Sequence, residues 1–257
     1  MPTPTVINKW RYSDAINRRY WDNKYFFDGM QSNPANVLLG GGAAAGAASE
    51  TDVMISPTNN FEYFNIVGNA NIGPKLDGTF GLNLAADAVS THGVEYNKGT
   101  SVLNPFGFTI DTTGATQPAF FVKAQFKVAT VAGASQCIVG FRKVEANNAT
   151  FTSYTDLACI GIVGTAGKFQ TVTNLASAGD VTTDTTQVAT NATMFQVTVL
   201  VDALGNVTYQ INGQPPTVVA AYQFANGLNV MPFIRVTQSV TTTATASCNY
   251  WECGYQS

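Results

Sequence analysis

Apolar and polar residues alternate along most of the second half of the chain. In the segment 119–128, AFFVKAQFKV, every second residue from Phe120 to Val128 is apolar, and the residues between them include two lysines and a glutamine. Successive side chains of a strand point to opposite faces, so a period of two is typical of a half-buried β-strand. The segment therefore predicts an amphipathic strand with one face in a core.

The same period occurs on both sides of a turn at 195–216, FQVTVLVDALGNVTYQINGQPP. Three alternate apolar residues precede the connection DALGN and three follow it, which predicts an antiparallel hairpin with a glycine-containing loop. These six residues are Val197, Val199, Val201, Val207, Tyr209 and Ile211.

Further short runs bounded by Gly, Asn and Ser predict additional strands. A helix is plausible only over 12–30, where Ser13 or Asp14 could cap it. Many short strands without a helical period predict an all-β fold, an antiparallel β-sandwich of the jelly-roll type, with an N-terminal extended or helical arm. The further strands are predicted at 61–67, 80–84, 136–145, 157–164, 167–174, 229–238 and 247–257.

The chain divides into two parts by composition. Residues 1–56 form a basic and aromatic arm followed by a Gly/Ala-rich connector, GGGAAAGAASE at its centre, and residues 57–257 form the sandwich. Charged residues are 11% of the 257 residues, where ordinary soluble proteins have about 25%. The formal net charge of −3 argues against a nucleic-acid partner. The longest apolar run, 37–48, is too short and too rich in glycine to span a bilayer, so no membrane association is expected.

Neither a catalytic constellation nor a metal or cofactor site is predicted. Hydrolysis of glycans requires two nearby carboxyl groups, which a strand supplies most simply at positions i and i+2. The pair Glu50 and Asp52 has this spacing but lies in the connector, whereas Glu145, Asp156 and Asp202 stand singly among the predicted strands.

The four cysteines do not show the spacing of a disulfide framework, and with one histidine a zinc site would need all four thiols. Cys137 and Cys159 are interpreted as buried small apolar residues. Whether Cys248 and Cys253 form a disulfide bond stays open. The segment DVTTDTT at 180–186 is interpreted as an Asx-type turn in preference to a calcium site.

The arm is the segment that suggests binding. Tryptophan, tyrosine and arginine dominate interface energies, so we predict that it binds a partner. Two other interpretations stay open: a helix that packs its aromatic side chains on the protein's own sandwich, and a weak nucleic-acid contact. The predicted partner-binding residues are Trp10, Arg11, Tyr12, Arg18, Arg19, Tyr20 and Trp21.

A family resemblance adds to this picture. The run AFFVKAQFKVATVAGASQCIVGFRKVE, then YTDLACIGIVG, GKFQTVTN and TDTTQVAT, then VDALGNVTYQINGQPP followed by MPFI, resembles structural proteins of tailed bacteriophages that carry concanavalin A-like (laminin-G-like) jelly-roll domains. The likeness covers about residues 115–257 and rests on strand order.

The resemblance implies a non-enzymatic capsid decoration (cement) protein on the outer head surface of a virion. Such a protein would be a homo-oligomer, with a trimer expected, would bind the major capsid protein, and would be made in the host cytoplasm without a signal peptide. The alternative is a glycan-binding module of a tail or head fibre that contacts a host surface glycan. A hydrolase with carboxylates from separate strands is a third hypothesis.

Overall fold

The structure is a computed structural model of the chain. The structure describes most of the chain from residue 117 onward, together with separate shorter segments before residue 117. The described residues are 24–26, 51–55, 60–66, 75–77, 81–84, 91–97, 107–114, 117–164, 166–239 and 246–256.

The regular secondary structure of the described residues is almost entirely β-strand, with two single turns of 3-10 helix at Val131–Gly133 and Phe151–Ser153. Every strand pairing among them is antiparallel. In chain order the strands are β1 (Lys24–Phe26), β2 (Thr51–Ile55), β3 (Asn60–Ile66), β4 (Lys75–Asp77), β5 (Gly81–Leu84), β6 (Gly93–Asn97), β7 (Phe108–Thr109), β8 (Phe120–Val128), β9 (Ala134–Lys143), β10 (Leu157–Val163), β11 (Lys168–Asn174), β12 (Val181–Val188), β13 (Met194–Val201), β14 (Val207–Ile211), β15 (Asn229–Gln238) and β16 (Ala246–Tyr255).

These strands form two sheets that pack face to face. Within the described segments, one sheet has seven strands in the order β14-β13-β8-β16-β5-β4, with β1 also paired to β16. The other has nine strands in the order β12-β11-β10-β9-β15-β6-β3-β2, with β7 also paired to β15. The predicted antiparallel β-sandwich is confirmed.

The alternation seen in the sequence sets which side chains enter the space between the sheets. In β8 buried and half-buried residues alternate without exception, as expected from AFFVKAQFKV. The hairpin of β13 and β14 is also confirmed, and the six residues predicted to share a face are all buried in the core. Its loop is held by Asp202, whose Oδ1 accepts hydrogen bonds from the backbone of Leu204 and Asn206, each at 2.8 Å.

The strand β16 departs from regular alternation. A bulge between Cys248 and Tyr250 shifts its register against β8, so that Cys248, Trp251 and Cys253 all enter the core. In a regular strand, residues five apart would lie on opposite faces. The two cysteines are separated along the strand by roughly 16 Å, whereas a disulfide requires Cα atoms within about 7 Å. Both are free thiols.

Two segments differ from the sequence interpretation. Residues 181–188 are strand β12, and the expected Asx-type turn survives only locally, where Asp184 Oδ1 accepts a hydrogen bond from the Thr186 backbone at 2.7 Å. Within the range considered for a helix, residues 24–26 are extended and pair with β16. Strand β2 lies in the range assigned to the connector. The named arm residues from Trp10 to Trp21 lie outside the described residues.

Glycines allow two neighbouring strands of the nine-stranded sheet, β9 and β10, to approach each other closely. A Cβ atom added to Gly140 would overlap the carbonyl oxygen of Ala158 and the Cα atom of Cys159 on β10. At Gly161 it would overlap the Cys137 carbonyl oxygen and lie 2.7 Å from Cα of Ile138. The obstacles are backbone atoms of hydrogen-bonded strands, which cannot move aside singly.

We expect Gly140→Ala to reduce the free energy of unfolding by more than Gly213→Ala. Gly213 has a φ of +79° with no atom within 4 Å of an added Cβ, so its alanine variant reports backbone strain alone, roughly 1–2 kcal/mol. Gly140→Ala adds a clash that forces β9 and β10 apart. Urea unfolding of both variants measures the difference, and equal losses would contradict the close packing of the two strands.

The cysteines give a second test. Burial raises the pKa of Cys137, Cys159 and Cys248, so these thiols are both inaccessible and protonated near neutral pH. We expect a thiol reagent to label none of the four cysteines quickly in the native protein and all four after unfolding without reductant. Only two reactive thiols in the unfolded sample would reveal a disulfide that the structure does not contain.

Candidate functional site

A cluster of charged side chains lies on the outer face of the nine-stranded sheet, the face directed away from the seven-stranded sheet. On β6, Val94 and Tyr96 point into the core, which leaves Glu95 on the outer face. Arg235 of β15 is directly opposite Glu95 in the register, and Arg142 comes from the next strand, β9. The alternation of three neighbouring strands therefore brings one carboxylate and two guanidinium groups together.

Four side chains donate hydrogen bonds to Glu95, and one of them is Asn97, whose Nδ2 donates to Oε1 at 3.1 Å. Arg142 Nε donates to its Oε1 at 2.8 Å, and Arg235 Nη1 donates to its Oε2 at 3.1 Å. The hydroxyl of Tyr154 donates to Oε2 at 3.0 Å. The exposed fraction of the side chain is 0% for Glu95 and Arg142 and 2% for Arg235. The carboxylate is thus enclosed and fully occupied by donors.

Residues 144–156, which we call the cover segment, close over this cluster. Arg235 donates to the carbonyl oxygen of Asn148 at 3.0 Å and to that of Ala149. Arg142 donates to the carbonyl oxygen of Glu145 at 3.2 Å. Each arginine therefore links the carboxylate beneath it to the backbone of the segment above it.

Aromatic rings of the cover segment complete the enclosure. The guanidinium carbon of Arg142 lies 4.2 Å from the ring centroid of Tyr154, and that of Arg235 lies 5.4 Å from the ring of Phe151. Cation–π attraction is strongest when the cation is removed from water, as it is here. Beside the charges lies a small apolar cluster that joins the cover segment to the sheet: Ile138, Phe151, Tyr154, Leu157, Cys159, Val172 and Phe233.

The electrostatics keep Glu95 ionised. Burial alone would raise its pKa, but the charges of Arg142 and Arg235, together with hydrogen bonds from Arg235 and Tyr154, outweigh burial and lower the pKa below its ordinary value. Burial and the neighbouring carboxylate raise the pKa of Tyr154, which stays a neutral donor. A general acid must hold a proton near neutral pH and reach its substrate. Glu95 meets neither requirement.

The carboxylates noted in the sequence have local structural contacts. Glu145 Oε1 accepts a hydrogen bond from the Thr155 backbone at 2.9 Å, and Asp156 Oδ1 accepts one from Ala176 at 2.9 Å. In the described part of the chain, no group of three or more His, Cys, Asp or Glu side chains is arranged to hold a metal ion. None of its helices is long and apolar enough to cross a membrane.

The sequence interpretation missed Glu95, Arg142 and Arg235. Their signal was a charge inside a largely apolar strand: GVEYN, IVGFRK and MPFIRV, the second of which also contains Lys143. Charged side chains are almost never fully buried unless they are paired, so isolated charges in buried strands indicate partners on neighbouring strands. Which charged residues become partners depends on the order of the strands in the sheet, and this order cannot be read from the sequence.

Comparisons with known proteins address the fold. No family model and no curated protein sequence matches the chain. Among solved structures, it is similar to a glycoside hydrolase family 16 endo-glucanase from Bacteroides ovatus, with 12% identity, coverage of 90% of this chain and 98% of the other, and a TM-score of 0.50. The Emp47p carbohydrate recognition domain has 9% identity, coverage of 93% and 97%, and a TM-score of 0.49. Alginate lyase PA1167 from Pseudomonas aeruginosa has 9% identity, coverage of 68% and 82%, and a TM-score of 0.46. The fold is that of concanavalin A-like jelly-roll domains.

We expect Glu95→Gln to lower the free energy of unfolding at pH 7 by about 3–5 kcal/mol, because the change leaves two buried arginines without their counter-ion. The pKa of Glu95 is lower in the folded than in the unfolded state, so its contribution is complete above its ordinary value of 4.5 and is lost as the pH falls through the lowered folded pKa. The difference between the two proteins should therefore shrink in acid.

Urea unfolding of both proteins at pH 7 and at successively lower pH measures this difference. Asp184→Asn is the matched control, since it removes a carboxylate from an exposed ion pair with Lys168. Exposed pairs contribute little to stability, so we expect only a small change in the control. A Glu95→Gln variant as stable as the control would show that the cluster does not hold the cover segment.

Proposed function

We propose that this protein is a non-enzymatic structural component of a tailed-phage virion, which decorates the outer surface of the head and attaches through its N-terminal arm. The observation that carries the proposal is the state of Glu95, which is buried and ionised between two arginines. In a glycan-cleaving enzyme, a carboxyl group must reach the scissile bond. Here the cover segment uses the outer face of the sheet for internal packing, as suits a rigid block.

The exposed apolar surface also supports this proposal. Carbohydrate and other small-molecule sites are lined by apolar and aromatic side chains around a few polar groups. Among the residues whose exposure is described, the strongly exposed large apolar side chains are aliphatic, and none is aromatic. They are Leu175, Val181, Val188, Met194, Leu204, Val218 and Val219. These side chains do not supply the aromatic lining of a sugar site, and they leave aliphatic surface for contacts between protein subunits.

The place where the arm joins the sandwich fits an attachment role. Strand β1 pairs with β16, with Lys24 opposite Glu252 and Phe26 opposite Tyr250. The residues before β1, which carry the predicted partner-binding side chains, are thus connected directly to the seven-stranded sheet. In a homo-oligomer, several arms would bind the major capsid protein together, so that modest affinity of each arm suffices.

A glycan-binding role is the second candidate. It is favoured by the fold that the chain shares with the endo-glucanase, which was solved in complex with G4G3G-2F-DNP. Likeness at this level of identity concerns the fold, and sites with unrelated chemistry occur on one fold. We therefore rank this role below decoration.

The decisive experiment uses the full chain and heads, from the phage that encodes it, that lack this protein. We expect the wild-type protein to bind these heads. A variant with Trp10, Arg18, Arg19 and Trp21 changed to alanine should keep its unfolding midpoint and lose binding, because these side chains would form the contact. Cosedimentation measures the bound fraction.

A matched control carries alanine at Lys123 and Lys127, which removes positive charge from the sandwich instead of the arm. Undiminished binding by the arm variant would reject the arm as the attachment. Failure of the wild-type protein to bind heads, together with saturable binding to one sugar on a glycan array, would replace decoration with the glycan-binding role.

A further inference from the structure

Strand β12 forms one edge of the nine-stranded sheet as far as the structure describes it. It pairs with β11 on one side, and no strand of the described residues pairs with its other side. Val181 and Val188, at its two ends, are 56% and 65% exposed. The strand therefore combines an open row of backbone donors and acceptors with exposed apolar side chains.

The edge has little of the usual protection against pairing. Natural proteins block exposed edges with lysine, proline, bulges or a covering segment, because an open edge is a template for another strand. Residues 181–188, VTTDTTQV, contain neither lysine nor proline. Their one charge, Asp184, is already paired with Lys168 of β11 at 2.6 Å. The pairing register between β11 and β12 shifts between Lys168 and Gln170. Only residues 181–184 of β12 are paired in a continuous register, and we call them the regular part of the edge.

We propose that the regular part of β12 binds the same strand of a second copy of this chain, antiparallel and across a twofold axis, so that two nine-stranded sheets join into one. A twofold interface uses the same patch on both subunits, and a strand edge of low charge is complementary to itself in this arrangement. The proposal does not depend on the proposed function, and its twofold dimer takes the place of the trimer that the sequence resemblance implies.

The charges select the register. A twofold axis perpendicular to the sheet keeps each side chain on its own face. Directly opposite residues must therefore point to the same face, which requires that one residue lie opposite its own copy at the axis. If it passes through Thr182, Asp180 lies opposite Asp184 of the second copy, and like charges directly opposite are destabilising. If it passes through Thr183, Asp184 lies opposite Thr182, whose hydroxyl can donate to the carboxylate. We therefore place the axis at Thr183.

This register can be tested with single cysteine variants of the full chain. Directly opposite residues of antiparallel strands have Cα atoms about 4.5–5.5 Å apart, which is within the range for a disulfide. Thr183→Cys should thus form a covalent dimer under mild oxidation, and a reductant should return it to the monomer on a denaturing gel. The four native cysteines are buried, so they do not compete.

Thr182→Cys is the matched control, because in the proposed register position 182 faces position 184 and not itself. We expect at least tenfold less covalent dimer from this variant, while an equal mixture of the Thr182→Cys and Asp184→Cys variants should give a heterodimer. Light scattering of the wild-type protein should show two copies. A monomer or a trimer in solution would overturn the interface, as would absence of cross-linking at both 182 and 183. Preferential cross-linking at 182 would overturn the register.

Discussion

Glu95, Arg142 and Arg235 form the ion cluster that determines how one face of this sandwich is used. Two guanidinium groups hold one carboxylate below and backbone carbonyl oxygens above, so the strands β6, β9 and β15 and the cover segment are joined at a single point. Buried charges are tolerated only where such pairing is complete. Without the cluster, the cover segment would keep its small apolar contacts and outlying hydrogen bonds such as that between Asp156 and Ala176, and the outer face of the nine-stranded sheet beneath it would be more open to solvent.

The two faces of that sheet therefore differ in chemistry. The inner face packs against the seven-stranded sheet through aliphatic and aromatic residues, such as the stacked rings of Phe108 and Phe120 at 4.4 Å. The outer face combines charge, hydrogen bonds and a minor apolar cluster. Where the cover segment packs, both faces of the nine-stranded sheet are occupied, and its β12 edge is left for association. The arm is instead connected to the seven-stranded sheet, through the pairing of β1 with β16.

Much of the fold was predictable from local pattern. The alternation in β8 and the hairpin of β13 and β14 gave both the strands and their buried faces, because burial on one face repeats every second residue. Local pattern was insufficient where long-range pairing broke a local rule. The bulge in β16 brought Cys248 and Cys253 to the same face, and β12 became a strand despite its turn-like composition because β11 offers it a hydrogen-bonding edge.

The sequence by itself determined an antiparallel sandwich, the side chains that fill its core, and the low charge of its strands, since these follow from period and composition within short windows. Only the tertiary structure decided which charges meet. Glu95 and Arg235 are 140 residues apart and Glu95 and Arg142 are 47 apart, yet they are neighbours because β6, β15 and β9 are adjacent in the sheet. Strand order is a global property, set by packing of the whole chain, and no local pattern encodes it.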